Sequence, residues 1–240
     1  MTKLYDMNTM RLEDRVADSI INRSAEHAAL ESHLQALQDR YLELGRMAGA
    51  RKECTDIKLQ MARTLVNLDR GSEAWPLGRE VLDTFIQMQD FESAADACDV
   101  LFQSDQPGSL SALGQGIWLA VTYPIDPELS VQLLTHVVDE TPDDADGAAV
   151  AATTALFLAD IRASGKQREN LLFFASQLLG RVARRHANVA SQEAFDRWTD
   201  RLELKEPDKF LVRLRNVVDV LVQEEWWFDR KALQAELPVN

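Results

Sequence analysis

The chain predicts an all-α protein: a solenoid of helical repeats, preceded by a heptad helix or hairpin and closed by a C-terminal capping segment. Three observations lead there. Apolar residues recur at helical spacing through most of the 240 residues, with no run that alternates like a strand. Residues that start and stop helices return at short intervals. Pairs of helices begin near residues 51, 91, 127 and 165, an interval of roughly 36 to 41 residues that suits a two-helix repeat unit. The repetition is one of architecture, since the residues themselves show little self-similarity. Residues 1–50 make the N-terminal segment, 51–205 the repeat body and 206–240 the cap.

The clearest helix is expected to begin after Ser24, a good N-cap, and to carry His27, Leu30, Leu34, Leu37, Tyr41, Leu44 and Ala48. Alternating steps of three and four make these a heptad seam, which needs a second helix from the same chain or from a second copy in a homo-oligomer. Leu12, Val16 and Ile20 offer the other arm of a hairpin, and Gly49 ends the seam. Ser72, after Gly71, is read as the cap of a helix whose first turn holds Pro76, where a missing N–H is tolerated. Asp90 caps the next. The strings DPE at 126–128 and TPDD at 141–144 each combine a cap, a proline at the first helical position and acids that complement the helix dipole. Gly165 separates a further pair, Ser191 caps another helix, and Pro207 opens the last long one.

That last helix carries Phe210, Leu211, Leu214, Val217, Val218, Leu221 and Val222 in one broad apolar stripe. In the string EEWWFDRKALQ that follows, a continued helix would swing both tryptophans out of the stripe, so a break is expected near Glu224 or Glu225. Asp229 then caps a short final helix, with Phe228 and Leu233 placed as a hydrophobic staple. Two of the five tryptophans, Trp226 and Trp227, remain. They are expected to close the open end of the helix stack. Trp226 is the better placed for that cover, and Trp227 for an exposed partner anchor.

One helix pair resembles a tetratricopeptide repeat. Met61-Ala62 and Leu65 stand where that family has its Leu-Gly step and tyrosine, and Ala74 stands at the small residue opening the second helix. Lys58 replaces the tryptophan, Gly78 replaces the phenylalanine, and the closing proline is missing. The resemblance covers about one repeat length. It implies a tetratricopeptide- or HEAT-like solenoid with a protein-binding groove.

Net charge is −13, from 39 acids against 26 lysines and arginines. That argues against nucleic acid and anionic membrane surfaces as partners, since both call for a basic face. The longest uncharged stretch, between Asp105 and Asp126, is interrupted by Pro107, Gly108, Gly114, Gly116 and Pro124 and makes a poor membrane span. The N-terminal string MTKLYDMNTMRLEDR shows no apolar signal core. With only Cys54 and Cys98, no disulfide framework is expected, and the expected compartment is a reducing cytoplasm.

Signals for chemistry are sparse. His27, His33, His136 and His186 form no His-Glu-x-x-His or Glu-x-x-His pair. His136 with Asp139 and Glu140 makes at most half of a metal site. TPDDADG at 141–147 misses a calcium loop, because Pro142 and Thr153 stand where its first ligand and closing glutamate belong. GQG at 114–116 lacks the third glycine and lysine-serine step of a phosphate loop; it reads as a close approach of helices or a helix break. GRVARRHA at 180–187 brings Arg181, Arg184 and Arg185 toward one helical face, fit to clamp an anionic group or to complement a helix C-terminus. Length, acidity and this cluster are similar to the fourteen-three-three adaptors, although RENLLFFASQ at 168–177 shares only part of their RNLLSVAYKN stretch.

The expected function is a non-catalytic adaptor, scaffold or assembly factor that holds a protein partner in a helical groove, without metal or cofactor. Trp226, Trp227, Arg181, Arg184 and Arg185 are the candidate partner-binding residues. A dedicated chaperone of one enzyme is the alternative, and a helical enzyme built from scattered acids and histidines is the third reading.

Overall fold

Eleven helices make up this computed structural model, which describes residues 7–237 except 48 and 224, with side chains from residue 23 onward. They are α1 (Met7–Leu44), α2 (Arg51–Asn67), α3 (Gly71–Gln87), α4 (Phe91–Gln103), α5 (Ser109–Thr122), α6 (Pro127–Glu140), α7 (Asp146–Arg162), α8 (Gly165–Ala187), α9 (Gln192–Arg201), α10 (Pro207–Val222) and α11 (Arg230–Ala235). No strand occurs among the described residues. The expected pair starts near 51, 91, 127 and 165 coincide with the first residues of α2, α4, α6 and α8.

α1 passes through Ser24 without a break, so neither the N-cap there nor the hairpin arm through Leu12, Val16 and Ile20 is found. The reason is simple: residues 7–24 hold no glycine or proline to stop a helix. The side chains of those three residues, and Ala48 of the seam, lie outside the described ones. Leu34 and Leu37 are buried, with Leu30, Tyr41 and Leu44 half-buried, and α2 is the helix that covers them. Over this stretch the seam is satisfied within one chain. His27, by contrast, is exposed.

Most caps hold. Asp90 accepts from the Ser93 N–H, Asp126 from Glu128, Ser191 from Ala194, and Asp229 from both Lys231 and Ala232. Each satisfies N–H groups that a helix start leaves without partners. Two starts differ from expectation. α3 begins at Gly71 itself, so Ser72 is no cap and Pro76 sits inside the helix. A side chain at Gly71 would collide with the Ser104 backbone at the end of α4, which leaves glycine as the residue that fits this start. TPDD is not a helix start either. Thr141 serves the end of α6, its hydroxyl donating to the Val137 carbonyl at 2.5 Å, and α7 begins only at Asp146.

Helix ends recur in one form that lacks glycine. Asp69, Gln89 and Glu203 take the left-handed conformation just after α2, α3 and α9. In each case the next residue's N–H reaches back to the last turn: Arg70 to Leu65, Asp90 to Phe85 and Leu204 to Thr199, at 2.8 to 3.0 Å. These are Schellman closures, and they permit the short connectors between α2, α3 and α4.

From α1 to α9 each helix packs on the next, and α2, α4, α6 and α8 also touch in series, forming one layer. α3, α5 and α7 lie on the other side, where α10 returns to pack on α5 and α7. α5 is thereby enclosed, and Ser111 to Ala120 are all buried. A helix that is buried all round needs small residues wherever neighbours press closest. A Cβ on Gly114 would stand 2.7 Å from Val222 of α10; one on Gly116 would stand 2.8 Å from Cys98 of α4 and 3.2 Å from Leu133 of α6. The GQG string is thus a close approach of helices and not a break.

Three outcomes are expected. Gly114→Ala should cost about 1 to 3 kcal/mol through overpacking, whereas Gly180→Ala, with only the Arg184 guanidinium 3.7 Å away, should gain about 0.5 to 1 kcal/mol of helix propensity. Leu37→Asp should cost about 3 kcal/mol or more by placing a charge against α2. Chemical denaturation followed by circular dichroism measures all three.

Candidate functional site

The C-terminal segment must be placed first, because it decides which surfaces remain open. Gln223 adopts the left-handed conformation and ends α10, which agrees with the expected break; Glu224 lies outside the described residues. The chain then crosses α5 and α3 without helical structure until Asp229 caps α11. The Trp227 N–H donates to Gln115 Oε1 at 2.9 Å, and the Gln115 amide donates to Ser111 Oγ at 3.2 Å. A fully buried glutamine in an apolar helix is costly unless both ends are used. Here both are.

The aromatic rings follow that anchor. Trp227 meets Trp75 of α3 edge to face at 5.9 Å, with the Arg79 guanidinium 3.7 Å above its ring. Trp226 and Phe228 both pack on Trp118 of α5, and Arg230 lies 4.4 Å over Trp226. Further along, Tyr123 donates to the Leu233 carbonyl and Gln89 to Glu236. Both tryptophans are half-buried, and Trp227 is as engaged within the chain as Trp226. The sequence places this segment over an open end of the helix stack; in the structure it straps the α3–α5 side. The cause is Gln115, which offers a buried acceptor midway along α5, together with Trp75 and Trp118 on either side of it. Arg79 is part of the same strap. Burial lowers its guanidinium pKa against the opposing pull of Asp83, and its Nη1 is buried without a hydrogen-bond partner, so the Trp227 ring supplies what no acceptor does.

The arginine cluster separates on folding. Arg185 turns toward α6, donating to the carbonyls of Val138 and Thr141 with Asp143 3.6 Å away. It complements the C-terminus of a neighbouring helix and not that of its own. Arg181 and Arg184 stay exposed. The three therefore do not converge as a clamp. His186 is tied elsewhere: Trp198 Nε1 donates to its Nδ1, and its Nε2 donates to Asp146, which also takes Arg213. That relay joins α7, α8, α9 and α10.

The opposite layer carries a polar cluster that sequence reasoning missed. Asp99 of α4 is fully buried. Its Oδ1 lies 3.0 Å from His136 Nε2 of α6, and its Oδ2 accepts from Gln103 at 2.6 Å, Gln132 of α6 at 3.0 Å and Arg63 of α2 at 3.4 Å. Arg63 also binds Asp96. Burial raises the Asp96 carboxyl pKa, opposed by Arg63 and assisted by Asp99 and Glu92. His136 thus turns to Asp99 and not to Asp139 and Glu140. One signal was available: Asp96 and Asp99 interrupt the otherwise apolar string AADACDVLF. Around the buried carboxylate the exposed or half-exposed Glu92, Asp96, Gln103, Gln132, His136 and Asp139 line the α4–α6 face.

A histidine–aspartate pair invites a catalytic reading, for which a nucleophile would have to stand within reach. The adjacent Cys98 is fully buried, and burial pushes its thiol pKa well above the ordinary value. Cys54 is half-buried. Among the described residues no group of three or more His, Cys, Asp and Glu side chains is arranged to hold a metal ion, and no helix is long and apolar enough to cross a membrane.

Removing Asp99 by Asp99→Ala would leave Arg63 and His136 facing a buried gap and should cost about 3 to 5 kcal/mol. Trp227→Ala should cost about 2 to 3 kcal/mol, because it loses the Trp75 edge, the Arg79 stack and buried area together. Urea denaturation of each variant gives the value. No protein-family model, curated protein or solved structure matches this chain.

Proposed function

We propose that the protein is a non-catalytic interaction module, an adaptor or assembly factor, built as a tetratricopeptide- or HEAT-like solenoid. Its partner is a protein, held on the face formed by α2, α4, α6 and α8. One observation carries this reading: the two faces of the stack are treated unequally. α10 and the strap cover α5 and parts of α3 and α7, while the α4–α6 face carries polar side chains held in place from below by Asp99. A preorganised polar surface loses little side-chain entropy when it binds. Further support comes from the pair that resembles a tetratricopeptide repeat, where Ala62 and Ala74 are fully buried as a close helix contact demands.

A photo-crosslinking amino acid tests the face. Placed at the exposed position 139 on α6, it should capture a discrete protein in the native cell. The same group at the exposed position 212 on α10 should not. Capture from position 212 alone, or from neither position, overturns the assignment.

A further inference from the structure

A cleft of about 390 Å³ opens between the first turn of α5, the α6–α7 connection and the last turns of α10, away from the face just described. Its walls are apolar: Leu110, Val137, Val217, Val220 and Leu221 line it, and Glu140 stands at its lip. Two of the wall residues are unusually open to solvent, Leu110 at 44% and Val220 at 73%. The buried stripe of α10 does not explain Val220, since Leu214, Val218 and Val222 already make the contact with the body.

The surroundings of the cleft are one-sided in charge. Glu140, Asp143 and Asp144 are exposed at the end of α6 and along the connection. Of these, Asp143 has Arg185 at 3.6 Å, and among the described residues no cation pairs with the other two. Arg213 of α10 is spent on Asp146 and the Leu202 carbonyl. An apolar floor beneath an uncompensated acidic lip fits side chains that are apolar at their base and cationic at their edge.

We propose that this cleft docks an amphipathic segment of a partner protein, whose apolar side chains enter beside Val220 and Leu110 while flanking lysines or arginines meet Glu140 and its neighbours. The volume suits such an occupant. Ligand clefts span about 300 to 1,000 Å³, and this one sits low in that range, with room for the anchors of a single helix or strand and not for a domain. Helix-in-groove recognition works through such anchors at i, i+3 and i+4. A second copy of this chain is disfavoured as occupant, because it carries a net charge of −13 and would set its own acids against the same lip. This surface is separate from the α4–α6 face, so its failure would leave that reading untouched.

The test uses a fluorescein-labelled leucine–lysine amphipathic peptide of about four helical turns, with a leucine–glutamate peptide of equal length as counterpart. Fluorescence anisotropy with the full chain should show binding of the lysine peptide and none of the glutamate peptide. Val220→Asp and Glu140→Lys should each weaken it by about tenfold or more. Glu193→Lys, which changes net charge as Glu140→Lys does but on the exposed side of α9, should leave it within about twofold, a few tenths of a kcal/mol. Thermal melts confirm that each variant is folded; Glu140→Lys carries the test if Val220→Asp is not. Equal loss in Glu140→Lys and Glu193→Lys would mean diffuse attraction to an acidic surface, and that result, or no loss in either Val220→Asp or Glu140→Lys, overturns the site. So do binding of both peptides, binding of neither, or self-association of the protein that Val220→Asp abolishes.

Discussion

One turn of α5 sets the distances for most of the molecule. Gly114 admits α10, Gly116 admits α4 and α6, and between them Gln115 presents an amide to the returning C-terminal chain. Four neighbours press on three consecutive residues from different directions, as helical geometry requires of side chains about 100° apart. A larger residue at either glycine would push a layer outward, and the aromatic contacts of Trp226, Trp227 and Phe228 depend on that spacing. The strap exists because α5 is thin in the middle and polar at one atom.

The two polar centres buried in this helical body do different work. Gln115 fastens a segment; Asp99 aligns a layer. A carboxylate that accepts from α2, α4 and α6 can satisfy all its partners in only one register of those helices, whereas apolar contacts tolerate sliding. The energetic return on burying such a charge is small or negative, so its value lies in specificity of arrangement. Its surface neighbours are then held in a defined pattern on the side that the strap leaves free.

Much of this was legible beforehand, and the pattern of success is physical. Local signals were reliable: Asp90, Asp126, Ser191 and Asp229 cap the helices they precede, and the apolar stripe of α10 faces the body. Signals that compete were not. Thr141 looks like a helix start but is claimed by α6, and Ser24 looks like a cap but has helix on both sides. Left-handed helix ends at Asp69, Gln89 and Glu203 went unseen because the residue that usually marks them is glycine. Long-range choices were hidden altogether. Nothing near Trp227 in sequence points to Gln115, which lies 112 positions away. The same holds for Arg63, Asp99 and His136, whose meeting depends on three helices settling in register.

The strap also gives the chain an unusual order of assembly. A linear stack of repeats can grow from its N-terminus, each pair folding on the last as it leaves the ribosome. Here Gln89 is joined to Glu236 across 147 positions, and Tyr123 to Leu233 across 110. The outer side of α3 and α5 therefore stays bare, with Trp75 and Trp118 uncovered, until the chain has been made past residue 236. These helices wait for residues more than a hundred positions further along the chain. Loop closure over such separations is slow compared with the local packing that precedes it. A nascent chain truncated before residue 225 is, in this sense, a stack of formed helices carrying an adhesive flank.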